Sequence, residues 1–197
     1  MHLVNLVLFL HIAVVLVAFG ISAILHAAEW SARRATTVSE LQVTFRVARR
    51  LEPLFPAMIA ALFGLGAWLI HLDGGQFRYR DGWVASSIVA LVLLLGIGGR
   101  VLAPRSKHRD ALLNAAPNDR LTPELKAALA DRFTWGGGHG NTGLALGVVF
   151  VMVSKPGAAG SVAVLVVGMG LGTVIGILGA RPASVRDPPV ALSATAC

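Results

Sequence analysis

The sequence has few charged residues, a single cysteine and no acidic residue in its longest apolar stretches. Charged residues make up 14% of the chain, whereas soluble domains contain about 25%. The one cysteine, Cys197, is the last residue of the given sequence, which excludes a disulfide within the chain and a cysteine-based metal motif. Hydrophobic residues make up 55% of the 197 residues. This composition is typical of a membrane protein.

Five stretches are predicted to cross the membrane as helices. Four windows contain no Asp, Glu, Lys or Arg, namely 3–25, 54–72, 83–99 and 156–180. Each approaches the roughly 20 apolar residues that a helix needs to cross about 30 Å of hydrocarbon. A fifth window, 141–154, reaches this length with its glycine-rich lead-in. The prediction is an all-α, polytopic membrane protein with transmembrane helices at about 3–26, 53–72, 83–103, 137–154 and 160–180.

The first helix is expected to stay in the mature protein. It has no basic residue before its apolar core, and that core is longer than the core of a secretory signal.

The basic residues predict the orientation of the chain. Of the 17 Lys and Arg, 14 lie after the first, third and fifth helices and 3 lie in the other two loops. Loops rich in Lys and Arg stay in the cytoplasm, which predicts an external N-terminus, a cytoplasmic C-terminus and a place in the bacterial inner membrane. Such loops suit anionic lipid. No basic stripe is interleaved with aromatic residues, so nucleic-acid binding is not expected.

The first cytoplasmic loop contains a predicted amphipathic helix at 38–51, with Ser39 as its N-cap. Its apolar residues recur at helical spacing: Val38, Leu41, Phe45 and Ala48. This apolar face could lie in the membrane interface or pack on the protein itself, and the sequence leaves both alternatives open.

A second amphipathic segment is predicted at 121–134. Thr122 is its expected N-cap, and Pro123 suits the first helical position. The expected apolar stripe is Leu125, Ala128, Leu129 and Phe133. The glycine-rich run at 136–140 is predicted to be a flexible joint, and a phosphate-binding loop is excluded because no Lys-Ser or Lys-Thr pair follows it.

The last helix has a regular glycine pattern, in which Gly168, Gly172 and Gly176 line one face. Small residues in this spacing let helix backbones approach closely in lipid. The favoured function is therefore a non-enzymatic assembly or accessory subunit that binds its own copies or a membrane partner through glycine faces.

His11 lies inside the apolar run of the first helix, where an ionisable side chain is costly and indicates a functional site. A structural alternative is a neutral imidazole bonded to a helix carbonyl or to Ser86 or Ser87. As a functional residue, His11 could bind haem b together with His71. A copper or zinc site could also form from a larger set, consisting of His2, His11, His71 and Met152. The remaining histidines, His26, His108 and His139, are predicted on the cytoplasmic side.

No catalytic site can be assembled from the loops. The predicted helix interiors contain no Asp or Glu, and these residues usually couple ions to transport. A small permease is a further alternative, although no broken or charged helix offers a substrate site.

Three segments resemble a known family: "LHIAVVLVAFG", "EPLFPAMIAALFGLGAWLI" and "DGWVASSIVALVLLLGIGGRVLAPR". They are similar to small bacterial integral membrane proteins grouped as domain of unknown function 2269, over about residues 1–155. The resemblance implies a bacterial inner-membrane protein and no particular activity. The first helix is also similar to the start of HemJ-type and copper-resistance-D-type proteins, in which a first-helix histidine is associated with haem or copper. His11 matches that feature.

Overall fold

The computed structural model describes residues 2–180 for the backbone and 3–180 for the side chains. Within this part, helices follow one another with short connections. They are α1 (His2–Ala32), α2 (Val38–Leu51), α3 (Leu54–Leu72), α4 (Gly82–Ile97), a π-helical turn (Gly98–Leu102), α5 (Ala103–Ala115), α6 (Pro123–Leu129), α7 (Arg132–Ser154) and α8 (Ala158–Gly179). Cys197 and the side chain of His2 lie outside the described residues.

Four helical stretches of the described chain are long and apolar enough to cross a membrane, namely Leu3–Ala32, Val38–Leu72, Gly82–Ala115 and Ala158–Gly179. The predicted all-α, polytopic fold is therefore confirmed. α7 has 23 residues, which is about 35 Å of helix at 1.5 Å per residue. It packs against both α4 and α8.

The glycines of α8 lie against the backbone of α7. A methyl group at Gly172 or Gly176 would overlap the carbonyl oxygens of His139 and Trp135 on α7. A methyl group at Gly168 would lie 2.6 Å from the carbonyl oxygen of Gly143. Close backbone approach at small residues is how helices associate in lipid, and here both helices belong to one chain.

The predicted joint at 136–140 is wrong, because these residues are helical and α7 begins at Arg132 instead of 137. Gly136 and Gly140 are buried, facing Ile177 and Thr173 of α8. Glycine is a poor helix former in isolation, but here it lets α8 approach. Tertiary packing therefore overrides the local preference.

The helices α2, α5 and α6 cover one end of the bundle, which we call the capped end. The apolar face of α2 is fully buried against Leu113 of α5 and Leu125 of α6, with Leu41 0% exposed and Phe45 2% exposed. Of the two alternatives for this helix, packing on the protein is therefore the one found.

The N-cap of α2 is Thr37 and not Ser39. The Thr37 side chain accepts a hydrogen bond from the backbone N–H of Glu40, whose carboxylate accepts one from the backbone N–H of Thr37, and together these form a capping box. Ser39 instead donates its backbone N–H and its hydroxyl to Asp119, at 2.6 and 3.0 Å. That contact joins the start of α2 to the loop between α5 and α6.

The predicted amphipathic segment at 121–134 is divided between two helices. Thr122 caps α6 with Pro123 in its first turn, as predicted. The Asp131 carboxylate then accepts hydrogen bonds from the backbone N–H groups of Phe133 and Thr134 and starts α7. Phe133 consequently lies 71% exposed on α7 instead of extending the apolar stripe of α6.

The third predicted transmembrane helix, 83–103, ends later in the structure than the sequence predicts. It continues through the π-helical turn at Gly98–Leu102 into α5 and reaches Ala115. Pro104 lies in the first turn of α5, where a missing N–H does little harm.

The long helices form two parts. α1 packs against α3, and α4 packs against α7 and α8.

Candidate functional site

A cavity of about 660 Å³ lies between α1 and α3 on one side and α4 and α7 on the other. Its wall includes Glu52 and Arg109 at the capped end, and His11 and Met152 farther along the bundle. α1 rises about 1.5 Å per residue, so His11 lies roughly 30 Å along that helix from its last residue, Ala32. The cavity therefore follows the helices through much of their length.

A polar network lies in the wall at the capped end. The Ser106 hydroxyl donates to Glu52 at 2.9 Å, and Arg109 donates to the Ser106 oxygen at 2.9 Å. The Arg109 guanidinium is 3.8 Å from the Glu52 carboxylate and 4.0 Å from the centre of the Phe45 ring. A buried charge is tolerated only with such partners, so this network holds Arg109 in place.

Two buried side-chain polar atoms among the described residues have no hydrogen-bond partner, and both belong to residues in the cavity wall. They are Nδ1 of His11 and Oδ1 of Asn141. The Asn141 amide donates its Nδ2 to the carbonyl of Leu94 at 3.3 Å. The His11 side chain is 8% exposed and lies beside Gly66 of α3.

The expected bond from His11 to Ser86 or Ser87 is not formed. Both hydroxyls donate instead to the carbonyl oxygen of Trp83, at 3.2 and 2.7 Å. Serine in a helix commonly bonds back to a carbonyl one turn earlier, and this local bond uses the one hydrogen of each hydroxyl.

The residues predicted to bind haem or metal lie in different places. His11 and Met152 line the same cavity. His71 is exposed in the last turn of α3 and is not part of the cavity wall.

The structure brings together a second group that the sequence did not predict as a site. His26 and Glu29 lie one turn apart on α1, and His139 lies on α7. One possible ligand atom from each of the three lies within 4.8 Å of the others. His26 and Glu29 also line the cavity. The spacing of His26 and Glu29 is visible in the sequence. His139, however, lies in the glycine-rich run at 136–140, which was predicted to be a flexible joint.

Hydrogen bonds fix the two imidazole rings. His26 Nε2 is 2.8 Å from the Thr142 hydroxyl, and His26 Nδ1 is 3.4 Å from the Glu29 carboxylate. His139 Nδ1 is 3.0 Å from the carbonyl oxygen of Trp135. The Trp135 ring is stacked on the His139 ring, with an angle of 12° between their planes. The two rings are therefore held by neighbours on α1 and α7.

The comparisons place the chain in a family. A sequence model of predicted integral membrane proteins, domain of unknown function 2269, matches residues 5–156. Comparison with curated proteins and with solved structures found no match. The matched range includes α1, α3, α4 and α7, and with them the whole wall of the cavity and all three residues of the second group. The chain belongs to this family of integral membrane proteins.

Proposed function

We propose that this protein binds a membrane-soluble amphiphile in the cavity between the two parts of the bundle. The ligand has an apolar body and carries hydroxyl groups. The observation that carries the proposal is the pair of buried polar atoms without partners, His11 Nδ1 and Asn141 Oδ1, in side chains of the cavity wall.

The size and lining of the cavity support this class of ligand. Small-molecule sites measure about 300–1,000 Å³ and combine apolar walls with a few polar groups, and this cavity of about 660 Å³ fits that range. Leaving a buried polar group unsatisfied costs about 1–3 kcal/mol. A hydroxyl group both donates and accepts, so it suits the Asn141 oxygen and either tautomer of His11 once a rotation of these side chains turns the two atoms, each less than 1 Å² exposed, toward the cavity.

The glycines of α8 give the assembly hypothesis no support. Gly168, Gly172 and Gly176 are covered by α7 of the same chain, so a second copy or a partner subunit would have to use another face.

A permease would also bind a ligand in this cavity. It would in addition have to release that ligand on both sides of the membrane.

Haem is a second candidate ligand, because His11 and Met152 line one cavity. Imidazole and thioether are axial ligands of haem iron in some electron-transfer proteins. Haem would give a Soret band that His11→Ala removes, and its absence would leave the hydroxyl-bearing amphiphile.

The proposed location is the bacterial inner membrane, with the capped end in the cytoplasm. This placement rests on the distribution of Lys and Arg. The capped end holds most of them.

Two substitutions on α7 test the proposal. Ala145 lines the cavity, whereas Leu146 is 56% exposed on the outside of the bundle. Ala145→Phe should reduce the amount of co-purified amphiphile several-fold in lipid nanodiscs, as measured by mass spectrometry of the solvent extract. Leu146→Phe should leave that amount unchanged. Equal amounts in both variants would contradict the proposal.

A further inference from the structure

We propose that His26, Glu29 and His139 form a binding site for one divalent transition-metal ion. The three side chains connect α1 to α7 near the capped end, and the site does not depend on the ligand proposed for the cavity. Two observations carry the inference: the distances between the ligand atoms, and a hydrogen bond that orients His139 with the lone pair of its second ring nitrogen unused.

The distances suit a metal ion. Zinc lies about 2.0–2.2 Å from imidazole nitrogen and carboxylate oxygen, so two ligands in a tetrahedral arrangement are about 3.3–3.5 Å apart. His26 Nδ1 and the Glu29 oxygen are 3.4 Å apart. A ring nitrogen of His139 lies within 4.8 Å of one ligand atom of His26 and one of Glu29, and a side-chain movement of about 1–1.5 Å would bring it into the coordination range.

The hydrogen bonds of His139 define its free nitrogen. The carbonyl oxygen of Trp135 can only accept, so Nδ1 of His139 carries the hydrogen that is donated to it at 3.0 Å. Nε2 of a neutral ring then keeps its lone pair. A backbone carbonyl that holds the second nitrogen in this way is the usual support for a histidine that binds metal.

The hydrogen bonds of His26 are compatible with the same result. The Thr142 hydroxyl donates its single hydrogen to the carbonyl oxygen of Gly138 at 3.2 Å. The Thr142 oxygen also lies 3.0 Å from the Ser22 hydroxyl and 2.8 Å from Nε2 of His26. When its hydrogen is donated to Gly138, Thr142 accepts from Nε2–H of His26. Nδ1 of a neutral His26 is then unprotonated and directly faces the Glu29 carboxylate.

With the hydrogen of His26 on Nε2, its Nδ1 and the Glu29 carboxylate are two acceptors 3.4 Å apart, which repel each other unless a positive charge lies between them. A metal ion supplies that charge and uses all three lone pairs. The alternative is a hydrogen on Nδ1 of His26, which would be donated to the Glu29 carboxylate and would leave Nε2 of His139 without a role. The three-residue arrangement therefore favours the metal ion.

The ligand types narrow the choice of metal. Two imidazoles and one carboxylate suit Zn²⁺, Fe²⁺, Ni²⁺ or Cu²⁺, whereas Mg²⁺ and Ca²⁺ prefer oxygen ligands alone. Three protein ligands leave at least one coordination position open. Because His26 and Glu29 also line the cavity, water or an oxygen atom of a bound molecule has access to that position.

Titration of the full chain in nanodiscs with Co²⁺, after treatment with a chelator, tests the proposal. The wild-type protein should bind one Co²⁺ per chain with visible d–d absorption, and Zn²⁺ but not Mg²⁺ should displace it. Glu29→Gln and His139→Gln should each weaken binding by more than about 100-fold, since removing a supporting partner alone costs 10–100-fold. His71→Gln and His108→Gln change exposed histidines and should bind as the wild type does.

Three results would overturn the proposal. The first is a wild-type protein that binds no Co²⁺, which needs no variant to fold. The second is unchanged affinity in a Glu29→Gln, His139→Gln double variant that keeps the wild-type elution volume. The third is a metal-free protein in which nitrogen NMR finds His26 doubly protonated and Zn²⁺ does not change that signal.

Discussion

The imidazole rings of His26 and His139 lie with their centroids 4.2 Å apart, one on α1 and the other on α7. This contact ties the two parts of the bundle together beside the cavity. The position of the His139 ring depends on its backbone, and that backbone is set by the packing of α7 against α8.

The packing of α7 on α8 predicts a sharp difference between two glycines of α8. At Gly172 a methyl group would overlap the carbonyl oxygen of His139, whereas at Gly170 there is nothing within 4 Å. Gly172→Ala should destabilise the protein by about 1–3 kcal/mol, the usual cost of overpacking. Gly170→Ala should be neutral or slightly stabilising, because alanine is the better helix former. Thermal unfolding in detergent measures both, and an equal loss of stability would contradict the packing.

The Thr142 hydroxyl should matter for metal affinity without being a ligand. Thr142→Val keeps the shape of the side chain but removes the hydroxyl that is hydrogen-bonded to Nε2 of His26. Co²⁺ binding should weaken about 10–100-fold. Thr44→Val is the matched control, because Thr44 lies partly exposed on α2 and donates its hydroxyl to the carbonyl of Glu40. Equal affinity in the two variants would remove Thr142 from the site.

The start of α7 should depend on pH through Asp131. Desolvation raises the pKa of this carboxyl, but hydrogen bonds from the Thr134 hydroxyl and from the backbone N–H groups of Phe133 and Thr134, together with Arg105, outweigh it and lower the pKa below the ordinary value of 3.8. A lowered pKa means that the carboxylate stabilises the fold above pH 3.8 and that this stabilisation is lost as the pH falls through the folded-state pKa.

Asp131→Ala should therefore cost about 1 kcal/mol near neutral pH, as the loss of a helix N-cap does. The difference from the wild type should shrink in strong acid. Unfolding curves recorded across the acidic range check this, and a difference that stays constant with pH would show that the charge of Asp131 contributes nothing.

The basic loops predict that the capped end lies in the cytoplasm. A phosphatase reporter fused after Arg120 should be inactive, whereas one inserted in the loop 74–80 should be active. The reverse pattern would show that the capped end lies on the opposite side of the membrane. It would not bear on the helix packing.

Four of the five predicted spans coincide with long apolar helical stretches of the described chain, because each contributes its own apolar run. α1 and α8 could be predicted from their own apolar residues alone. The beginning of α7 was missed because its helical state depends on glycines that only α8 makes favourable. Such a tertiary effect leaves no local signal.

The candidate site was predicted only in part for related reasons. His11 was identified because a lone imidazole in an apolar run is conspicuous, but its expected serine partners bond within their own helix. His26 and Glu29 are one turn apart, a spacing also found in surface ion pairs. The packing of α1 against α7 brings His139 beside these two residues. A single sequence does not specify which helices pack against each other.

The most direct test of the central claim is the mass of the wild-type protein released gently from nanodiscs in a mass spectrometer. The account predicts a retained apolar molecule with hydroxyl groups, close to one per chain, that is displaced in Ala145→Phe. Bulk phospholipid alone, retained equally by the wild type and by Ala145→Phe, would contradict it.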